Sequence, residues 1–362
     1  MTGKIGKFEN ITNKIPSEHI VFNNDKTILL KGDSLSIIKK FPSNSVSLIL
    51  TDPPYHTTKK ENIFGDTAFS TDNDYLKWLA EYIIEWKRIL KPSGAIYCFC
   101  SPKISSRIEM LFMKEFNILS QIVWTKPNEA GFDGWKQKMK KEALRQWYPQ
   151  SERIIFAEPS YKGNLKSTYF GNFLKDKRLS INMTAHKLAE LTGFYGKVNH
   201  GGAISNWEAG RNIPNEEQYD KLCQILTKHG VSFMPHYSDV IRPFNINKNV
   251  EYTDIWNFKT VRAYPGKHPA EKPLDLLEHA ILASTLPNDI VLDCFSGSGN
   301  TSIAALNTNR KSISIEIEDK WIESTREKLT NYRATEIIDN KVINLCYAKS
   351  KNKSQQLELS LL

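Results

Sequence analysis

Two short runs, residues 45–51 (SVSLILT) and 290–294 (IVLDC), read as continuous apolar strands that carry no charge before an acidic residue, Asp52 or Asp293, at a turn. A strand with one face in water alternates polar and apolar residues, so runs like these must be covered on both faces. Helices on both sides of a parallel sheet provide that cover. The rest of the chain agrees. Strand-like runs recur at 27–31 (TILLK), 95–100 (AIYCFC), 118–124, 153–157 (RIIFA) and 312–317. Between them lie helical stretches at 36–41, 104–116, 274–284, from Ser302, and 321–332. Another carries Tyr75, Leu79, Tyr82, Ile83, Trp86 and Leu90 at helical spacing, with Pro92-Ser93-Gly94 as its expected stop. Strand and helix alternating in this way predict an α/β chain with a doubly wound, mostly parallel sheet.

Function in such a sheet gathers at the carboxyl ends of its strands, and two motifs stand there. The first is Asp293-Cys294-Phe295-Ser296-Gly297-Ser298-Gly299-Asn300-Thr301, an acid, a glycine turn and a helix start. Its glycines let a ligand come close to backbone N–H groups, an approach that side chains would block. Glu316, at the end of the next strand, can accept the two hydroxyls of a ribose.

The second motif, Asp52-Pro53-Pro54-Tyr55, follows the buried run directly. Its prolines hold the backbone extended, so the Asp52 carboxylate and the Pro53 carbonyl can act as two acceptors aimed at one target. An exocyclic amine has two N–H donors and a lone pair delocalised into its ring. Two acceptors favour a tetrahedral nitrogen and free that lone pair for attack. Tyr55 adds a flat face on which an extruded base can stack.

In this order the motifs resemble the DNA amino-methyltransferases of the circularly permuted beta group, in which the catalytic motif precedes the cofactor motif. The resemblance covers roughly 27–157 and 268–329. It rests on Gly32-Asp33-Ser34, then DPPY, then Ile122-Val123-Trp124-Thr125-Lys126, then His268-Pro269-Ala270-Glu271-Lys272-Pro273, then DCFSGSGNT and SIEIE. It implies a Rossmann-like methyltransferase fold, S-adenosylmethionine as cofactor, and methyl transfer to N6 of adenine in duplex DNA. An N4-cytosine enzyme is the alternative, although Asp as first residue of the tetrapeptide is commoner in adenine enzymes. By resemblance Asp33 contacts the cofactor's adenine part, Lys272 and Pro273 its methionine end, and Glu316 its ribose. The remaining contacts fall to Asp52, Asp293, Phe295, Ser296, Gly297, Ser298, Gly299 and Thr301. The family usually carries Pro at the position of Cys294 and Thr at that of Asn300. Cytosine C5 chemistry is set aside, because no Pro-Cys pair occurs.

Between the two halves, Thr184 to Gly193 and Ala203 to Pro214 resemble a Cro or lambda-repressor helix-turn-helix, with a turn at 194–202 longer than usual. Thr184 caps its first helix, Ile204 and Trp207 pack its second, and helices at 170–179 and 216–226 flank the pair. Ser205 and Asn206 would then face a major groove, and Arg211 a phosphate. The divisions expected are a catalytic half at 20–160, an inserted, mainly helical target-recognition region at 161–258, a cofactor half at 259–335 and a tail at 336–362.

Charge supports a polyanionic partner. Lys and Arg number 49 against 40 Asp and Glu, and residues 121–178 alone hold 12 basic against 6 acidic side chains. Within that stretch Lys136, Lys138, Lys140 and Lys141 are candidate DNA contacts. No metal site is indicated, since the five cysteines sit mainly in apolar surroundings. The start lacks the apolar core of a signal peptide and no run approaches a membrane span, so a cytoplasmic protein is expected. A homodimer and a restriction endonuclease partner stay open. Two other readings compete: a helix-turn-helix regulator that senses S-adenosylmethionine, and an RNA methyltransferase.

Overall fold

The computed structural model describes residues 7–56, 68–126, 142, 145, 147, 150–159, 168–194, 202–244, 252–332, 337–338 and 341–342. Nine strands form one sheet: β1 (Ile20–Asn23), β2 (Thr27–Lys31), β3 (Val46–Thr51), β4 (Leu90–Cys100), β5 (Phe116–Thr125), β6 (Ser151–Pro159), β7 (Ile255–Asn257), β8 (Ile290–Asp293) and β9 (Lys311–Glu316). Their order is β1-β2-β9-β8-β3-β4-β6-β5-β7. The five strands from β2 to β4 run parallel, while β6 is antiparallel to both β4 and β5.

That reversal matters for the site. The carboxyl ends of β2, β9, β8, β3 and β4 share one edge of the sheet. Because Cys100 pairs with Arg153 and Thr125 with Ser151, the amino end of β6 arrives at the same edge.

The doubly covered runs pack as their composition requires. All six residues of β3 are buried. On one face Ile49, Ile96, Ile313 and Ile315 meet α1 (Lys7–Thr12), α2 (Ser34–Ile38), α3 (Asp72–Ile89) and α4 (Ser105–Phe112), chiefly through Tyr75, Leu79, Tyr82, Ile83 and Trp86 of α3. On the other, Leu48, Leu50, Tyr97 and Phe99 meet Leu277, Ala280 and Ile281 of the helix at Leu274–Ser284 and Ala304 of the helix at Asn300–Asn307. Each such side chain taken fully out of water contributes roughly 1.5–3 kcal/mol.

A third core belongs to α5 (Tyr169–Ser180), α6 (Ala185–Thr192), α7 (Gly202–Glu208), α8 (Glu216–Lys228) and α9 (Tyr237–Val240). Phe170, Leu174, Leu188, Ile204, Trp207, Tyr219 and Leu222 fill it. Thr184 caps α6 by accepting from the Lys187 N–H at 3.1 Å, and Ile204 and Trp207 are buried, as expected. The Arg178 guanidinium crosses the bundle to grip Glu208 at 2.6 and 2.9 Å. The chain then returns through α10 (Leu274–Ser284), α11 (Asn300–Asn307) and α12 (Asp319–Thr330), and the last described residues form a short antiparallel pair, β10 (Ile337–Ile338) and β11 (Lys341–Val342).

One boundary is corrected. Pro92-Ser93-Gly94 does not stop a helix; α3 ends at Ile89 and these residues lie inside β4. The pairing of β3 with β4 slips between Val46 and Leu48, which accommodates the proline. At Gly94 a Cβ would stand 3.0 Å from the Ser47 carbonyl, so the close approach of the two strands requires glycine. Lys136, Lys138, Lys140 and Lys141 lie outside the described residues. Among the described residues no helix is long and apolar enough to cross a membrane.

Candidate active site

The shared edge opens into a cavity of about 390 Å³, within the range of small-molecule sites. It is lined by Asp33, Asp52, Pro53, Pro54 and Tyr55 from the first half of the chain. From the second half come Lys272, Asp293, Phe295, Ser296, Gly297, Ser298, Thr301 and Glu316. Residues some 220–280 positions apart in sequence are thus brought together because β2, β3, β8 and β9 are neighbours.

Within the glycine loop, Gly297 and Gly299 have φ of +48° and +75°, where side chains are strained. A Cβ on Gly299 would also stand 2.5 Å from Thr325, so this glycine serves the seating of the loop on α12. Glu316 holds the loop from the next strand, accepting from the N–H of Gly297 at 2.7 Å and from those of Ile317 and Glu318 at 2.8 and 2.9 Å. Asp293 plays an internal part. Its carboxylate accepts from Thr301 at 2.6 Å, from the Phe295 N–H at 3.1 Å and from Thr51 at 3.3 Å. Burial lifts it to about 6 against those bonds. Asp33 caps α2 through the Ser36 N–H at 2.8 Å. Phe295 sits 5.3 Å from Tyr82 and 5.8 Å from Trp78.

The two residues that depart from the family pattern have clear partners. Cys294 is buried and its sulfur accepts from the Trp86 indole N–H at 3.3 Å. The Asn300 amide donates to the Lys272 carbonyl at 2.9 Å and to Glu271 at 3.0 Å, tying the glycine-loop helix to the segment that carries Lys272.

At the tetrapeptide the charges alternate. Lys272 Nζ donates to Asp52 Oδ2 and lies 3.5 Å from Glu152. Glu152 is bound in turn by Lys126, and it accepts from the Tyr55 hydroxyl at 2.7 Å. Burial raises the Asp52 carboxyl; Lys272 opposes that and the Glu152 charge adds to it. Glu152 feels the same burial, but Lys272 and Lys126 outweigh it and bring its carboxyl down to about 2. Burial would lower Lys272, yet its two carboxylates hold it charged. Asp52 Oδ1, the second oxygen of the tetrapeptide's carboxylate, is buried and accepts no hydrogen bond.

Sequence reasoning missed Glu152 and His268. Glu152 is the second residue of β6, and only that strand's reversal brings it to the site. His268 packs edge-on against Trp321 at 4.5 Å and lies where a Cβ on Gly297 would fall. Burial and the neighbouring lysines push its imidazole down to about 4, so it is neutral there. Ser205 and Arg211 are exposed on α7 and just after it, and Arg211 donates to Asn206 at 3.1 Å. They sit on the surface of the helical region, outside its buried cluster and apart from the cavity lining.

Residues 46–327 match the N6/N4 family of DNA methylases. The chain belongs to this family. It is an S-adenosylmethionine-dependent DNA methyltransferase. Among its relatives, the methyltransferase is 28% identical over 322 residues to the DNA adenine methyltransferase YhdJ of Escherichia coli (strain K12), covering 87% of this chain and 88% of that one. It is 26% identical over 328 residues to the Type II methyltransferase M.BglII of Bacillus subtilis, with 87% and 71% covered. The solved PvuII DNA methyltransferase (cytosine-N4-specific) shares the fold, with a TM-score of 0.51 at 16% identity over 87% of this chain and 93% of that one.

The cavity suits the methyltransferase's cofactor on grounds of its own. Ser296 Oγ is buried at the glycine loop with no hydrogen-bond partner, as a group awaiting a ligand atom would be. Glu316 offers carboxylate lone pairs beside Gly297, and Phe295 offers an apolar face.

Proposed function

We propose that this methyltransferase modifies N6 of an adenine that has been turned out of duplex DNA, within a short recognised sequence. The observation that carries the reading is Asp52 Oδ1, a buried acceptor without a donor in the wall of the cofactor-sized cavity. An amine presented there would give one N–H to Oδ1 and the other to the Pro53 carbonyl, with Tyr55 flanking the base. The first residue of the tetrapeptide, and a relative named for adenine methylation, favour adenine over the cytosine amine.

When bound, S-adenosylmethionine supplies a methyl group on a sulfonium sulfur. The chain's part is to hold that cofactor through Glu316, Phe295, Asp33 and the glycine loop, and to orient the amine through Asp52. Covalent catalysis is unnecessary, because orientation and the two acceptors free the nitrogen lone pair. Extrusion of the base follows from the same geometry, since a paired amine could not reach an acceptor buried at a sheet edge.

Chain order supports a circularly permuted arrangement, with the Asp52 strand preceding the glycine-loop strand. In this reading 20–160 is the catalytic half, 161–258 the inserted target-recognition region, 259–335 the cofactor half and 336–362 the tail. The helix α6, capped by Thr184, and the following α7 support a helix-turn-helix that presents Ser205, Asn206 and Arg211 to DNA. The lysines at 136, 138, 140 and 141 add phosphate contacts. The test is transfer of labelled methyl to duplex DNA followed by nucleoside analysis: N6-methyladenine is expected, N4-methylcytosine would move the assignment, and label in RNA alone would refute it.

A further inference from the structure

We infer that Glu152 is a positioning residue for methyl transfer, holding Tyr55 and Lys272 so that Asp52 keeps one oxygen open to the target amine. This rests on the role given to Asp52 above.

Four charged side chains alternate in a line: Asp52, Lys272, Glu152, Lys126. Lys272 stands between two carboxylates, and its side chain is only 8% exposed. A buried ammonium with one carboxylate partner would be free to straddle both of that partner's oxygens. With Glu152 3.5 Å away on its other side, it stays on Oδ2 and leaves Oδ1 bare. The same carboxylate takes the one proton of the Tyr55 hydroxyl at 2.7 Å. That bond fixes the ring's tilt at the cavity wall.

The surroundings of Glu152 are themselves fixed. The Lys126 N–H donates to the Gln150 carbonyl at 3.0 Å, and the Gln150 amide returns a bond to the Lys126 carbonyl at 2.9 Å. Lys126 at the end of β5 is thereby locked to the start of β6. Lys126 is one-third exposed, so the line runs from the reacting centre to solvent and its outer cation neutralises a charge that burial alone would disfavour. Among the described residues the Glu152 carboxylate is engaged by Tyr55, Lys126 and Lys272. A purely architectural acid at this spot would need none of the three to be a site residue.

The test compares Glu152→Gln and Glu152→Asp with the wild type, in steady-state methylation of duplex DNA and in equilibrium binding of S-adenosylmethionine. Binding stoichiometry counts folded sites, so that turnover is expressed per competent site even for a partly folded variant. Glu152→Gln is expected to lose on the order of 10²-fold in kcat, with cofactor affinity and the KM for DNA within about threefold of wild type. Glu152→Asp, which keeps the charge, is expected to recover part of the loss. Wild-type kcat in Glu152→Gln, or a loss confined to KM or cofactor binding, would overturn the inference. Equal loss in the Gln and Asp variants would also overturn it, by pointing to shape instead of charge. Failure of the wild type to methylate any amine would strike at the Asp52 reading, a separate result.

Discussion

Lys272 and Asp52, 220 residues apart in sequence, meet as a buried ion pair at the centre of the cavity. The pair joins the two motif-bearing halves of the chain in the wall of the cavity. It leaves Asp52 with one engaged oxygen and one open one.

Replacing Lys272 by Met leaves Asp52 and Glu152 facing each other without their shared cation. Breaking a buried pair in this way costs about 3–5 kcal/mol, to be read from urea unfolding. Lys272 holds the Asp52 carboxyl down, so its removal is expected to move the acid limb of kcat/KM to higher pH.

Gly299→Ala should weaken the cofactor loop. The residue has φ of +75°, and an added Cβ would stand 2.5 Å from Thr325 on α12. The expected cost is about 1–3 kcal/mol in stability, with weaker S-adenosylmethionine binding by calorimetry.

Legibility of the fold followed burial. Runs with both faces covered, such as β3 and β8, showed their place because no charge interrupts them before the acid at the turn. The glycine loop and DPPY showed theirs because special backbone needs special residues. Glu152 was hidden, since an acid at a strand start carries no signal until the antiparallel pairing of β6 is known. His268 was quoted with its motif but given no role, because its packing on Trp321 depends on two distant segments meeting. Gly94 misled, as glycine after proline reads as a stop, whereas here it permits close strand contact with Ser47.

The Arg178–Glu208 pair is expected to govern the helical region by itself. Its side chains are 8% and 12% exposed. Arg178→Met strands a buried carboxylate and should cost about 3–5 kcal/mol, whereas Arg178→Met with Glu208→Leu should cost far less. Hydrogen exchange would localise the single variant's loss to α5–α8.

Acid stability should depend on Glu152. Its folded-state pKa of about 2 lies below the ordinary 4.5, so the folded form binds fewer protons between those values. Its contribution is present above about pH 4.5 and is lost as pH falls toward 2. Glu152→Gln should therefore flatten the rise of unfolding free energy with pH in that window, measured by urea titration.

In the proposed function Asp52 orients an adenine amine for methylation. Single-molecule sequencing of DNA from cells expressing the wild type and Asp52→Ala tests it most directly. N6-methyladenine in one short motif is expected with the wild type and none with the variant. Methylated adenine that persists in Asp52→Ala, or an unmodified genome with both, would contradict it.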